Sequence, residues 1–241
     1  MKKKKFWHIV NQIIEKSDII LEVLDSRFIT ETRNKEIEDK VKKNGKQLIY
    51  VINKCDLMPK KKIVRLSPSV FISAKQKLGT TKLLKLILRF AKKEKNIVGV
   101  LGYPNTGKSS VINALKGRHS AGTSPFSGFT RGKQLLKVSN KLYLLDSPGV
   151  FQYQEKDSFK LSLISSIDPS KIKNPEAIVE ELMKRFKEII EKHYNVERKT
   201  FEKTLEKIAL KNHQLMKGGL PDTKRMARII LQDWQKGKIK L

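Results

Sequence analysis

Cysteine is nearly absent from this 241-residue chain. Cys55 stands alone, which excludes an intramolecular disulfide framework and any zinc site built on several thiolates. Histidine is scarce as well, and His8, His119, His193 and His213 share no metal-ligand spacing. Long apolar runs are missing: no stretch approaches the roughly 20 residues that a spanning helix needs. The basic start Met1–Lys5 is not followed by a signal-peptide core, because His8, Asn11, Gln12 and Glu15 interrupt it. A cytoplasmic protein without a membrane association is expected. Acidic residues are the last shortage, with 24 Asp and Glu against 52 Lys and Arg, a net charge of +28. Between Asp56 and Asp146 the only acid is Glu94, against 19 basic residues. A field of that sign repels itself unless polyanions neutralise it, so nucleic acid or an anionic surface is the expected partner, and the basic excess reads as a phosphate-contacting surface with salt-sensitive affinity.

The length leaves room for one large or two small domains. Over the first 150 residues strand and helix signals alternate. Residues 7–15 fit a short amphipathic helix, Ile19–Leu24 a buried strand, and 33–43 a polar helix ended by Asn44-Gly45. Leu48–Ile52 and Val70–Ile72 read as strands. Leu83, Leu84, Ile87, Leu88 and Ala91 give a helix over 80–94 one apolar face, and Ile97–Leu101 is the next strand. Residues 134–138 and 142–145 suggest an antiparallel pair. Such alternation predicts an α/β domain on a mostly parallel sheet. After about residue 151 the strand signals stop. Asn174-Pro175 starts a helix, with Ile178, Leu182, Phe186 and Ile189 on one stripe. Phe201, Leu205 and Ile208 mark another, and Asp222 caps a last one through Met226, Ile229, Ile230 and Trp234 to Gly237. The expected division is 1–151 and a helical domain over 152–241.

Gly102-Tyr103-Pro104-Asn105-Thr106-Gly107-Lys108-Ser109 fits the P-loop pattern between a strand and a helix signal. Its glycines let backbone N–H groups gather around phosphates at the positive end of the next helix. Asn105, Thr106, Gly107, Lys108, Ser109 and Ser110 are therefore candidate phosphate ligands. Lys108 would reach the β- and γ-phosphates, and the Ser109 hydroxyl would bind Mg²⁺. Asn53-Lys54-Cys55-Asp56, also after a strand, selects the base. A carboxylate at Asp56 can accept from N1–H and N2–H of guanine, whereas adenine would leave it unpaired. Asn53 would bridge the base edge and the phosphate loop, and the stem of Lys54 would cover the ring. Ser73-Ala74-Lys75 would turn the Ala74 N–H toward the guanine carbonyl. Asp146-Ser147-Pro148-Gly149 ends a strand, placing Asp146 on Mg²⁺ through water and the Gly149 N–H on the γ-phosphate. Thr130 is the candidate for the hydroxyl that closes on Mg²⁺, with Thr123 as competitor.

In ordinary small GTPases the phosphate loop comes first and the guanine motifs last. Here the order is 53–56, 73–75, 102–109, 130 and 146–149. In this order the chain resembles the circularly permuted GTPases of the YlqF/YawG family over almost its whole length. The likeness includes Trp7, Asp25-Ser26-Arg27 (usually Asp-Ala-Arg), and Lys217-Gly218-Gly219-Leu220-Pro221-Asp222 leading to Gly237-Lys238. The resemblance implies a circularly permuted P-loop GTPase domain with helices on both faces of a mostly parallel sheet, then a small all-helical domain. It implies GTP/GDP and Mg²⁺ as ligands, Lys108, Thr130 and Gly149 as the catalytic set, and a switch in large-subunit ribosome assembly. The expected partners are rRNA and the large subunit or its precursor, with the protein monomeric off the ribosome.

Val150 stands where Ras-like enzymes carry a water-orienting Gln, and the family shares such a replacement, implying slow hydrolysis helped from elsewhere. Asn105 matches an Asn that some relatives use to bind K⁺; the alternative is that it only stabilises its loop. The Gly-His-Met histidine of some bacterial members has no counterpart, since Trp7-His8 has the wrong spacing to Asp25. His8 is expected to be a surface residue. Asp25 and Arg27 either pair structurally or serve catalysis. Lys217, Lys224, Arg225, Arg228, Lys236 and Lys238 flank the C-terminal signature as candidate RNA contacts. Two other functions remain: an RNA-binding module that uses GTP as a structural ligand, and a GTPase of another RNA process. Small-subunit maturation belongs to a family with an OB domain and a zinc site, and neither fits here. An ATP-dependent kinase is disfavoured by Asn53 and Asp56.

Overall fold

In the computed structural model, which describes residues 2–58, 65–116, 135–145, 158–164 and 167–240, the apolar run Ile19–Asp25 forms strand β1 and is buried at all seven positions. A strand without polar alternation belongs inside a sheet covered on both faces. Its neighbours are β2 (Gln47–Asn53), β3 (Ser69–Phe71), β4 (Asn96–Leu101), β5 (Leu135–Lys137) and β6 (Leu142–Leu145). They lie in the order β3-β2-β1-β4-β6-β5, parallel except for β5 against β6.

Successive residues of β1 serve opposite faces. Ile20 meets Val10, Ile13 and Ile14 of α1 (Lys2–Lys16), with Ile37 and Val41 contributed by α3 (Lys35–Lys43). Ile19, Leu21 and Val23 point into the other layer, against Leu83 and Ile87 of α4 (Thr80–Phe90) and Val111 and Leu115 of α5 (Lys108–Lys116). The fold is thus an α/β sheet with helices on both sides. A single turn, α2 (Ile29–Thr32), precedes α3, whose start is fixed by Asn34 accepting from the Ile37 N–H. The helix expected over 33–43 therefore begins two residues later. The one expected over 80–94 ends at Phe90. Asn96 explains the stop: its side chain accepts from the Lys93 N–H (3.2 Å) and donates to Lys93 O (2.7 Å), turning the chain into β4.

The chain divides into two compact units, Met1–Gln154 and Glu155–Leu241. In the second, α6 (Ser158–Leu163), α7 (Pro175–Arg185), α8 (Ile189–Tyr194), α9 (Phe201–Lys211) and α10 (Thr223–Lys236) follow one another. The single stripe expected through Ile178 and Ile189 is broken into α7 and α8, with Glu188 in the left-handed region at φ 63°. The Phe186 ring packs on Trp234 of α10 at 5.2 Å, and after the bend Ile190 is buried. Asp222 caps α10 by accepting from the Arg225 N–H, and Gly237 ends it at φ 70°. No helix among the described residues is long and apolar enough to cross a membrane.

Candidate nucleotide site

The chain adds β1, β2 and β3 outward toward one edge, then crosses to the far side of β1 for β4. That reversal opens a crevice at the carboxyl ends of β1 and β4, the place where open α/β sheets bind ligands. Four segments meet this end of the sheet: Asp25 from β1, Asn53 from β2, the loop from Ser73 after β3, and 102–107 after β4.

Loop 102–107 has the backbone that phosphate binding needs. Gly102, Asn105 and Gly107 have φ of 141°, 59° and 96°, and α5 starts directly after them. Such turns gather N–H groups into an anion-binding concavity at a helix N-terminus. A side chain at Gly107 would collide with Asn53 Nδ2, so this glycine also admits the 53–56 turn. The Thr106 hydroxyl and the Lys108 ammonium both donate to Tyr103 O, at 2.9 and 2.7 Å. Burial pulls the Lys108 ammonium down to about 8, a cost that a phosphate counter-charge would relieve. Asn105, Ser109 and Ser110 are exposed on the rim.

Asn53 ties this loop to the next. Its Nδ2 donates to Thr106 O (2.9 Å), and its Oδ1 accepts from the Ala74 N–H (3.0 Å). The Ala74 N–H, expected to turn to a guanine carbonyl, here donates to Asn53. Its one proton is engaged by Asn53, and a base would have to share or displace that bond. The loop itself is held shut, with Ser73 and Leu78 exchanging two backbone bonds of 3.0 Å and the Gln76 N–H donating to Ser73 Oγ. Lys75 is exposed, and Asp56 is half-buried with no hydrogen-bond partner among the described residues.

The family described as 50S ribosome-binding GTPase matches residues 97–212, beginning at β4, so that Asn53–Asp56 and Ser73–Lys75 fall outside the match. A GTP-binding protein of Methanocaldococcus jannaschii is 39% identical over 99% of this chain and 67% of its own length. The chain belongs to the circularly permuted GTPases of the YlqF/YawG type. Nucleolar GTP-binding protein 2 of Yarrowia lipolytica is 33% identical over 98% of this chain, which spans 50% of that relative's length. YlqF from T. maritima, solved with GNP bound, shares the fold with a TM-score of 0.66 at 22% identity, covering 98% of this chain and 95% of that one.

Within this permuted GTPase unit, one set of contacts was not foreseen from the motifs. Lys54 is in the left-handed region at φ 62°, and its ammonium donates to Asp25 Oδ2 at 2.8 Å. Asp25 is buried and also holds Arg27, through Nε on Oδ1 (3.0 Å) and Nη2 on Oδ2 (2.8 Å). Burial would raise the Asp25 carboxyl, but Arg27 and then Lys54 keep it well below the ordinary carboxylate range. Burial lowers Lys54, and Asp25 opposes that shift. Asp25 and Arg27 therefore do pair, and the pair reaches into the guanine motif. His8 lies on the surface, 2.7 Å from Gln12.

Thr123, Thr130, Asp146, Gly149 and Val150 lie outside the described residues. No cluster of three His, Cys, Asp or Glu suited to a metal exists among the described residues. The exposed Ser109 hydroxyl in the first turn of α5 is a hard oxygen donor, the kind Mg²⁺ takes, and Mg²⁺ would supply charge neutralisation on the phosphates there.

Proposed function

We propose that this protein is a GTP-hydrolysing switch that binds rRNA of the large ribosomal subunit or its precursor and leaves after hydrolysis. The observation that carries the reading is the Asn53 amide, which joins the phosphate loop at Thr106 to the base loop at Ala74. That bridge brings the two motifs together despite their permuted order. The family's description as ribosome-binding and the nucleolar name of a relative support that partner. Charge agrees with it: Lys82, Lys85 and Arg89 line the exposed side of α4, and none has an ion-pair partner among the described residues. Unneutralised cations three and four residues apart on a helix suit a row of phosphates.

In this reading Asn53, Lys54, Asp56 and the Ser73–Lys75 loop take the base, and Asn105 to Ser110 take the phosphates. Ser109, Thr130 and Asp146 hold Mg²⁺, and Lys108 and the Gly149 N–H stabilise the γ-phosphate. Val150 cannot orient water, so turnover is slow alone and is stimulated by the ribosome or by K⁺ at the exposed Asn105. The segment after Gly149 runs on into the helical unit, which gives the γ-phosphate a route to reorient it. A second reading, GTP as a structural ligand without turnover, is favoured by Val150 alone.

The test is GTP turnover with and without purified large subunits, in K⁺ and in Na⁺, with Lys108→Ala as control. Strong stimulation by the subunit, greater in K⁺ and abolished in Lys108→Ala, is expected. Tight GTP and RNA binding with no turnover under any condition would leave the structural-ligand reading in its place.

A further inference from the structure

We propose that Asp25 is a positioning residue for guanine-nucleotide binding, acting with Ser26 to hold Lys54 in the pose in which it covers the base. The proposal rests on the reading of residues 53–56 as the base-binding motif.

Lys54 is in an unusual state for a residue that must stack on a ligand. It is not glycine, yet its backbone is left-handed, a conformation that persists only where its surroundings over-determine it. Two consecutive residues at the end of β1 supply that determination. Ser26 Oγ donates to Lys54 O at 2.8 Å, fixing the backbone, and Asp25 Oδ2 accepts from Lys54 Nζ at 2.8 Å, fixing the far end of the side chain. Only the alkyl stem between these anchors is left to meet a base.

Asp25 is itself immobile. Its Oδ1 accepts from the Arg27 N–H and Nε, both at 3.0 Å, and its Oδ2 accepts from Arg27 Nη2 at 2.8 Å. The planar guanidinium grips both oxygens, so the carboxylate cannot swing away from Lys54. If Asp25 served only to neutralise Arg27, the bidentate pair would be complete without a third partner. Instead residues 25 and 26 both reach across to the same lysine, 29 and 28 positions further along the chain. A side chain held in place before the ligand arrives has less freedom to lose on binding, which is how preorganisation raises affinity.

The experiment measures equilibrium GDP binding by calorimetry on the full chain carrying Asp25→Asn, Lys54→Met, and both together. The expected result is at least a tenfold weakening in each single variant, with the double variant no weaker than the worse of the two. IDP, which lacks the amine that Asp56 would read, is measured alongside. Because Lys54 meets the ring face, GDP and IDP affinities should fall by the same factor in Asp25→Asn. Full GDP affinity in a folded Asp25→Asn protein would overturn the proposal, as would losses that multiply in the double variant. A changed GDP-to-IDP ratio would also overturn it, by showing that the whole 53–56 turn has moved. Should circular dichroism show Asp25→Asn unfolded, Ser26→Ala replaces it in the same cycle, with about threefold weakening expected alone and none added to Lys54→Met. Absence of GDP binding by the unsubstituted chain would instead strike at the nucleotide-site reading itself.

Discussion

Asp25 and Glu181 each bind an arginine, at 2.8 and 2.7 Å, but in different surroundings. At the nucleotide end of the sheet the Arg27 and Asp25 side chains are 0% and 1% exposed, and Lys54 at 17% joins them. On α7 the Arg185 and Glu181 side chains are 38% and 30% exposed, one helical turn apart. Removing one partner of a buried pair strands a charge away from water, whereas water and salt replace a partner lost at the surface. The Asp25 cluster thus fixes geometry, and the Glu181–Arg185 pair decorates a helix that would form without it. The largest effect expected from this contrast is at Asp25. Asp25→Ala should destabilise the fold by about 3–5 kcal/mol, because the buried Arg27 guanidinium would lose the carboxylate that grips it. Urea denaturation measures it, and a loss below about 1 kcal/mol would show that the buried cluster behaves like a surface one.

The contrast can be sharpened within one strand. Glu22 and Asp25 are both buried on β1, three residues apart, and their carboxyls shift in opposite directions. Among the described residues Glu22 has no cation in hydrogen-bond contact and its buried Oε2 no hydrogen-bond partner, while its Oε1 accepts from the Asn34 N–H (2.8 Å). Burial lifts it to about 8, with the nearby Glu38 adding to the rise. A raised carboxyl gives stability that is complete below the unfolded value near 4.5 and is lost as pH climbs to about 8. For Asp25 the sign reverses, its contribution being present above the unfolded value of 3.8 and lost in stronger acid. Glu22→Gln should therefore equal the parent near pH 4 and exceed it by about 4 kcal/mol at pH 8. Parallel stability curves for the two proteins across that range would mean that Glu22 ionises at no cost.

These two residues also mark the limit of what could be read from the chain. The phosphate loop and Asn53 were legible because backbone chemistry forces glycine and amide residues into fixed spacing. The strands were legible because burial on both faces demands unbroken aliphatic runs. Lys54 held by Asp25 was not, since 29 residues separate them and no local period links a strand end to a distant loop. A charged triplet at the end of a buried strand was the available signal, and it shows that a partner is needed without naming it. The break between α7 and α8 was hidden for a related reason. Phe186 and Ile189 keep helical phase with Ile178, and it is the tertiary contact of Phe186 with Trp234 that accompanies the bend. The Ala74 N–H was assigned to a ligand because the motif is silent about which bonds the protein makes within itself.

A smaller effect belongs to the helical unit, where local contacts should dominate. The Asp222 side chain accepts from the Arg225 N–H at 2.8 Å and so satisfies one of the open donors at the start of α10. Asp222→Ala should cost about 1 kcal/mol, the usual worth of an N-cap, and Asp222→Asn should recover most of it. Thermal unfolding followed by circular dichroism distinguishes the two. Equal losses in both variants would assign the effect to charge, and bring this cap closer to the Asp25 cluster than the exposure of the Glu181–Arg185 pair suggests.

The smallest effect is the most exacting check on the contrast. Glu181 precedes Arg185 by four residues, and Nε meets Oε1 at 2.7 Å. In a chain carrying a net charge of +28, each acid also softens repulsion among many lysines, so a single Glu181→Ala variant mixes two effects. A double-mutant cycle with Arg185→Ala separates them, because the diffuse field survives removal of one arginine while the pair does not. The coupling should be no more than about 0.5 kcal/mol and should fade as salt is raised to 1 M, where charges are screened beyond roughly 3 Å. A coupling of about 2 kcal/mol that resists salt would mean that exposure is not what separates the two kinds of pair. The mobility of the partners would then have to be the variable: Arg27 is gripped bidentately by a carboxylate fixed in β1, whereas Arg185 hangs from the last turn of α7.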